Sequence, residues 1–119
     1  EIYVDGRPEA ERVDAYTAAV SQNILPLHRS GVAPEGNNSW REPGAITWSA
    51  RQRAGGYDLE ITIPAESIRA DWTPKSGDHI RFDAMINDRD AEGQSHHRLW
   101  STGGANSSTS GYGLLILGN

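Results

Sequence analysis

The run Tyr57-Asp58-Leu59-Glu60-Ile61-Thr62-Ile63-Pro64 decides how this chain folds. Tyr57, Leu59, Ile61 and Ile63 alternate with Asp58, Glu60 and Thr62. Successive side chains of a strand point to opposite faces, so this pattern gives one apolar face and one polar face. A helix would need its apolar residues three and four apart, and here they stand two apart. Gly55-Gly56 supplies a turn before the run and Pro64 breaks the ladder after it.

Outward from this strand the same period recurs. Ala45 to Gln52 reads as a partner strand with Ile46, Trp48 and Ala50 on one face, joined through the Gly55-Gly56 turn. Ala65 to Ile68 has room for one helical turn. His79 to Ile86 alternates Ile80, Phe82, Ala84 and Ile86, which puts Met85 on the opposite face. His97 to Trp100 makes a short strand. Tyr112 to Leu117 is apolar almost throughout and reads as a strand buried on both faces. At the other end, Glu1 to Val4 is β-rich and stopped by Asp5-Gly6, with a charged loop from Arg7 to Val13. Ala15 to Leu27 reads as a strand because Tyr16, Ala18 and Val20 alternate with Thr17, Ala19 and Ser21; a helical turn is the alternative. Arg29 to Pro43, rich in Gly, Pro, Asn and Ser, is a long loop of the kind that often binds. Six or seven short strands joined by tight turns predict an all-β antiparallel sandwich of jelly-roll or immunoglobulin-like type, in one domain over 1–119.

Composition narrows the function. The chain of 119 residues holds 13 glycines and 6 prolines, which favours many turns and short strands over long helices. A net charge of −5 argues against nucleic acid, whose phosphates call for a basic stripe. No apolar run approaches the roughly 20 residues that cross a bilayer, so no membrane partner is expected. With no cysteine, disulfides, zinc–thiolate sites and a thiol nucleophile are excluded. The chain begins at Glu1 without a methionine or an apolar leader, and so reads as a mature or excised segment. No motif selects a general acid, a base or an activated nucleophile among the 16 acidic residues, so catalysis is not expected.

Four pieces in order resemble the family 9 carbohydrate-binding modules and their DOMON-like relatives. They are Glu1-Ile2-Tyr3-Val4-Asp5-Gly6, Tyr57 to Pro64, the stretch Ile80-Arg81-Phe82-Asp83 with Asn87-Asp88-Arg89-Asp90, and Leu99-Trp100-Ser101 followed by Tyr112-Gly113-Leu114. The resemblance spans nearly the whole chain. It implies a non-catalytic, secreted module, extracellular or periplasmic, that binds cellulose- or xylan-type saccharides. Family members carry further strands before the one that starts here, including an aromatic wall of the sugar site. The chain is then a fragment, a naturally shortened variant, or a sandwich whose missing strands come from a homodimer partner or another chain along an open sheet edge. A structural accessory domain of a larger enzyme, without a sugar site, is the alternative. Some relatives hold a b-type haem through methionine, which directs attention to Met85, although a core methionine filling a gap is commoner. No organic cofactor is expected.

Sugar recognition needs flat apolar faces for C–H groups and directional polar groups for hydroxyls. Of the four tryptophans, Trp48 is in phase with Ile46 and reads as core, as does Trp72. Trp40 lies in the long Asn-rich loop and Trp100 at the edge of the implied binding face, so both are ligand candidates, with Arg98 beside Trp100 as a donor. The resemblance adds Glu1, Asp14 and Asn106, the last in the loop before the final strand. The second stacking tryptophan of that loop has no counterpart, since Ala105 to Gly111 holds no aromatic. Asp88, Asp90 and Glu92 place oxygens at alternate positions before Gly93, an arrangement suited to a structural calcium or to a plain acidic turn. His96 and His97 point to opposite faces of a strand and do not chelate one ion together.

Overall fold

The computed structural model describes residues 1–31, 46–99 and 107–118, with the backbone alone at 97–99. Its strands are β1 (Ile2–Asp5), β2 (Val20–Asn23), β3 (Thr47–Arg53), β4 (Gly56–Thr62), β5 (His79–Arg89), β6 (Ser95–Leu99) and β7 (Gly113–Ile116). One helical turn, α1 (Ala65–Ile68), follows β4. All pairing is antiparallel and falls into two layers, a larger sheet in the order β2-β1-β5-β6 with β7 also on β5, and the β3–β4 hairpin. The expected all-β sandwich is the observed architecture.

β5 is the spine. Its residues Arg81 to Ala84 pair with β1, while His79 to Phe82 pair with β7 and Met85 to Arg89 with β6. Arg81 and Phe82 serve both β1 and β7, so those two strands flank β5 on opposite sides. β6 takes the same side as β7, beyond it.

Alternation along β1 then builds two cores. Ile2 and Val4 face the hairpin, where Ile46, Trp48 and Ile80 are buried at 3%, 6% and 3% exposure. Ile61, Ile63, Ile68, Trp72 and Phe82 close around them. Trp48 is thus a core residue, as the periodicity predicts, and Trp72 packs half-buried against the core, as expected, and donates its Nε1–H to Asp78 at 3.0 Å. On the other face Tyr3 and Val20 are fully buried under Tyr112, Tyr16 and Met85. Tyr3 and Tyr112 meet edge to face at 6.2 Å between centroids.

A buried ion pair ties the loops to this second face. Arg7 donates to Asp5 through Nε at 2.8 Å and Nη2 at 2.7 Å, and its Nη2 also reaches the Val13 carbonyl at 2.9 Å and Thr109 Oγ1 at 3.3 Å. The chain between them must be glycine. A Cβ on Gly6 would lie 2.5 Å from Ile68 Cγ2 and 2.6 Å from the Ile68 carbonyl oxygen, so α1 packs directly on its backbone.

Two expectations are corrected. Ala15 to Leu27 is not one strand. Only Val20–Asn23 pairs with β1, Ala15 makes a single bridge to Ser108, and Leu27–Arg29 is a 3-10 turn. A turn closed by the Val20 N–H on the Thr17 carbonyl, at 3.0 Å, separates the two. The last strand is not buried on both faces either. Leu114, Leu115 and Ile116 are 54%, 42% and 68% exposed, because among the described residues β7 pairs only with β5 and the hairpin does not cover it.

Candidate functional site

Glu1 and Tyr3 lie two residues apart on an extended chain and so share a face. The Glu1 nitrogen donates to the Met85 carbonyl at 2.7 Å, and the Met85 N–H returns to the Glu1 carbonyl at 2.9 Å, which continues the β1–β5 ladder past Ile2. That register brings Asn87 to Glu1 from one side, and the pairing of Tyr3 with Gln22 brings β2 from the other.

Four side chains converge here. Tyr3 Oη donates to Glu1 Oε2, and Gln22 Nε2 donates to the same oxygen at 2.7 Å. Asn87 Nδ2 donates to Glu1 Oε1. Partial burial would raise the Glu1 carboxyl, but these three donors hold it below the usual carboxylate value. The Tyr3 phenol is pushed far up by burial and by its bond to Glu1, so it stays a donor. A carboxylate offers about four lone-pair directions, and three are used. Glu1 is left fixed in orientation, ionised at neutral pH and able to accept one further hydroxyl. Gln22 Nε2 also donates to Tyr3 Oη at 3.2 Å, which leaves Gln22 its amide oxygen, while Asn87 keeps an amide oxygen and a second N–H beyond the bond to Glu1.

Beside this cluster, at the end of the sandwich, a cavity of ≈ 510 Å³ opens between the sheets. Ile2, Leu25, Leu59, Ala84 and Ile86 form its apolar wall, Tyr57 and His28 stand on its far rim, and Glu1 and Asn87 form its polar lip. Met85 reaches the same lip while packing against the tyrosines of the outer core.

The candidates from the sequence are placed unevenly. Glu1 is at the centre of the polar cluster. Asp14 is elsewhere: its carboxylate, 72% exposed, stands 3.6 Å from Arg81, four residues along β5 from Met85 and so about 13 Å away. Its carbonyl accepts the Thr109 N–H at 2.8 Å and Ser108 Oγ at 3.0 Å, which joins two loops. Arg98 stands opposite Ile86 on β6, with its backbone alone described. Trp40, Trp100 and Asn106 lie outside the described residues. Tyr3 and Gln22 were not singled out in the sequence, and the same-face rule from Glu1 to Tyr3 is the one signal that points to either. Asn87 belongs to a motif quoted above but acquires its role only from the strand register.

The Asp88-Asp90-Glu92 loop forms the β5–β6 turn. Asp90 spends one oxygen on the Gln94 N–H at 2.7 Å and the other on His96 Nε2 at 2.8 Å. Asp88 Oδ1 takes the Arg89 N–H at 2.8 Å. Among the described residues no group of three or more His, Asp or Glu side chains is arranged to hold a metal ion. The hydrogen bonds of Asp88 and Asp90 serve the turn.

Neither the curated proteins nor the solved structures returned a match to this chain. The family model described as carbohydrate family 9 binding domain-like matches residues 1–119. With the match running through every strand of the sandwich and through Glu1, the chain belongs to the carbohydrate family 9 binding domain-like family.

Proposed function

We propose that this protein is a non-catalytic module that binds cellulose- or xylan-type saccharides outside the cytoplasm, with Glu1 as its central acceptor. The observation that carries this reading is the Glu1 carboxylate, oriented by Tyr3, Gln22 and Asn87 at the lip of a cavity and left with room for one more donor. A sugar hydroxyl is a donor of the right kind. The surrounding amides can answer neighbouring hydroxyls, since they both donate and accept. No step of the reading uses calcium or a haem.

Isothermal titration calorimetry against glucose, cellobiose, xylobiose and soluble xylan tests it. We expect saturable heat with at least one of these, and a loss of about tenfold or more in affinity for Glu1→Gln, since a bond to a charged acceptor is worth about 1.5–3 kcal/mol. A folded wild-type protein giving no heat with any of them would leave a structural accessory domain as the better reading.

The same proposal extends to protein contacts. Among the described residues β7 pairs with β5 alone and carries exposed apolar side chains, and a second copy of the chain pairing along its other edge would cover both.

A further inference from the structure

We infer that a second pocket, past the end of β1 that lies away from Glu1, takes the carboxylate of an acidic saccharide, a uronic acid, with Arg69 as its cation. The saccharide class rests on the reading above; the site and its charge are new. The pocket, ≈ 400 Å³, lies between the 6–8 loop, residues 18 and 19, and the end of α1. Its volume is within the roughly 300–1,000 Å³ usual for small-molecule pockets. Arg7, Glu11, Ser67 and Arg69 are its polar residues. Arg7 is already spent on Asp5, and Ser67 is buried.

Arg69 is the unusual group. Its Nε is buried without a hydrogen-bond partner, and among the described residues its guanidinium has neither a hydrogen bond nor an ion pair. Arg7, Arg12, Arg53, Arg81 and Arg89 each have an acceptor. An unpaired, partly buried cation is costly, and such a group calls for a partner. The chain nonetheless holds it in place. The Trp72 N–H returns to the Arg69 carbonyl at 3.3 Å, and the guanidinium carbon stands 4.6 Å from the centre of the Trp72 ring. Asp78 feels the charge of Arg69, but its Oδ2 is taken by Trp72 Nε1 and the Lys75 N–H, both at 3.0 Å. With Nε sealed in the protein, the terminal nitrogens are what Arg69 has left to offer, and their paired N–H groups match the two oxygens of a carboxylate. An anion there also relieves repulsion with Arg12, which feels the charge of both Arg81 and Arg69. Glu11 is the one carboxylate in the lining, exposed, and works against such a ligand.

The test is a titration of ¹⁵N-labelled protein with glucuronate, glucose and acetate, followed by amide NMR shifts. Glucuronate should move the amides of residues 6–7, 18–19 and 67–70 in a saturable way, and glucose and acetate should bind there about tenfold more weakly or not at all. Arg69→Gln, with a dispersed spectrum showing that it folds, should weaken glucuronate about tenfold or more, as expected for losing hydrogen bonds to a charged group. Glu11→Gln, at an exposed position, should tighten it severalfold. A glucuronate response that is absent, that survives Arg69→Gln unchanged, or that acetate or glucose reproduces at equal affinity overturns the site. The amides of Tyr3, Gln22 and Asn87 report on the Glu1 reading separately. Shifts there with neutral saccharides and none at 67–70 with glucuronate sink this inference alone, and a folded protein that responds to no saccharide at either place sinks both.

Discussion

Two residues behave in ways their types alone do not announce. Asp5 and Arg7 are buried together, at 0% and 7% side-chain exposure, and Arg7 also fastens the 13–15 and 107–110 loops. Removing one partner strands the other charge away from water. Arg7→Met should therefore cost about 3–5 kcal/mol in urea unfolding, whereas a conservative change at an exposed pair such as Arg53–Asp58 should cost under about 1 kcal/mol. Three carboxyls govern the acid side. Glu1 is depressed by hydrogen bonds that outweigh its burial, Asp78 by the Lys75 N–H and Trp72, and Asp90 by His96 and the Gln94 N–H. A carboxyl lowered in the folded state contributes stability above its unfolded value, about 3.9–4.3, and loses it as pH falls through the folded one. The melting temperature should thus hold from pH 7 to about pH 5 and fall below about pH 4, with a shallower fall in Glu1→Gln; a flat profile down to pH 3 would contradict these shifts. At this scale a motif draws attention to Glu1 but not to the side chains that bond to it, because Gln22 and Asn87 come from strands whose register no local pattern reveals.

Elements were legible where one face meets the core and the other meets water. β4 and β5 alternate cleanly, and their inner residues Ile61, Ile63, Ile80 and Phe82 do pack inward. β7 was misread because an unbroken apolar run looks the same in a central strand and in an edge strand awaiting a partner. Among the described residues its hydrogen bonds run to the β5 side alone. The Leu117 N–H reaches the Asp78 carbonyl at 2.8 Å, and the Gly77 N–H reaches the Leu117 carbonyl at 3.0 Å. Alternation then turns the backbone groups of Leu114 and Ile116 outward. These are equally spaced about Leu115, so an antiparallel copy would place Leu114 opposite Ile116 across a two-fold axis. Sedimentation velocity through the micromolar range should show a dimer, and Leu115→Lys should return it to monomer with saccharide binding intact. A wild-type monomer at every concentration removes the pairing. Ala15 to Leu27 failed for a different reason: a three-residue alternation of small side chains is too short to outweigh a turn at Thr17.

For the molecule as a whole, the fold class was readable and the layer widths were not. Strand periodicity and turn residues suffice for a sandwich, yet they say nothing of which strand sits beside which. Only pairing shows that β5 carries β1 on one side and both β6 and β7 on the other. That arrangement has a consequence in hydrogen-exchange experiments. Either edge can open alone, since β2 and β6 each lean on a single neighbour. Arg81 and Phe82 are held from both sides, and their release requires the whole sheet to come apart. Deuterium uptake should consequently be slowest at residues 81–84 and along β1, at a rate set by global unfolding, while β6 and β7 exchange through cheaper local openings. The centre of β5 would then serve as an internal gauge of total stability, readable while the edge strands and the Glu1 cluster fluctuate around it.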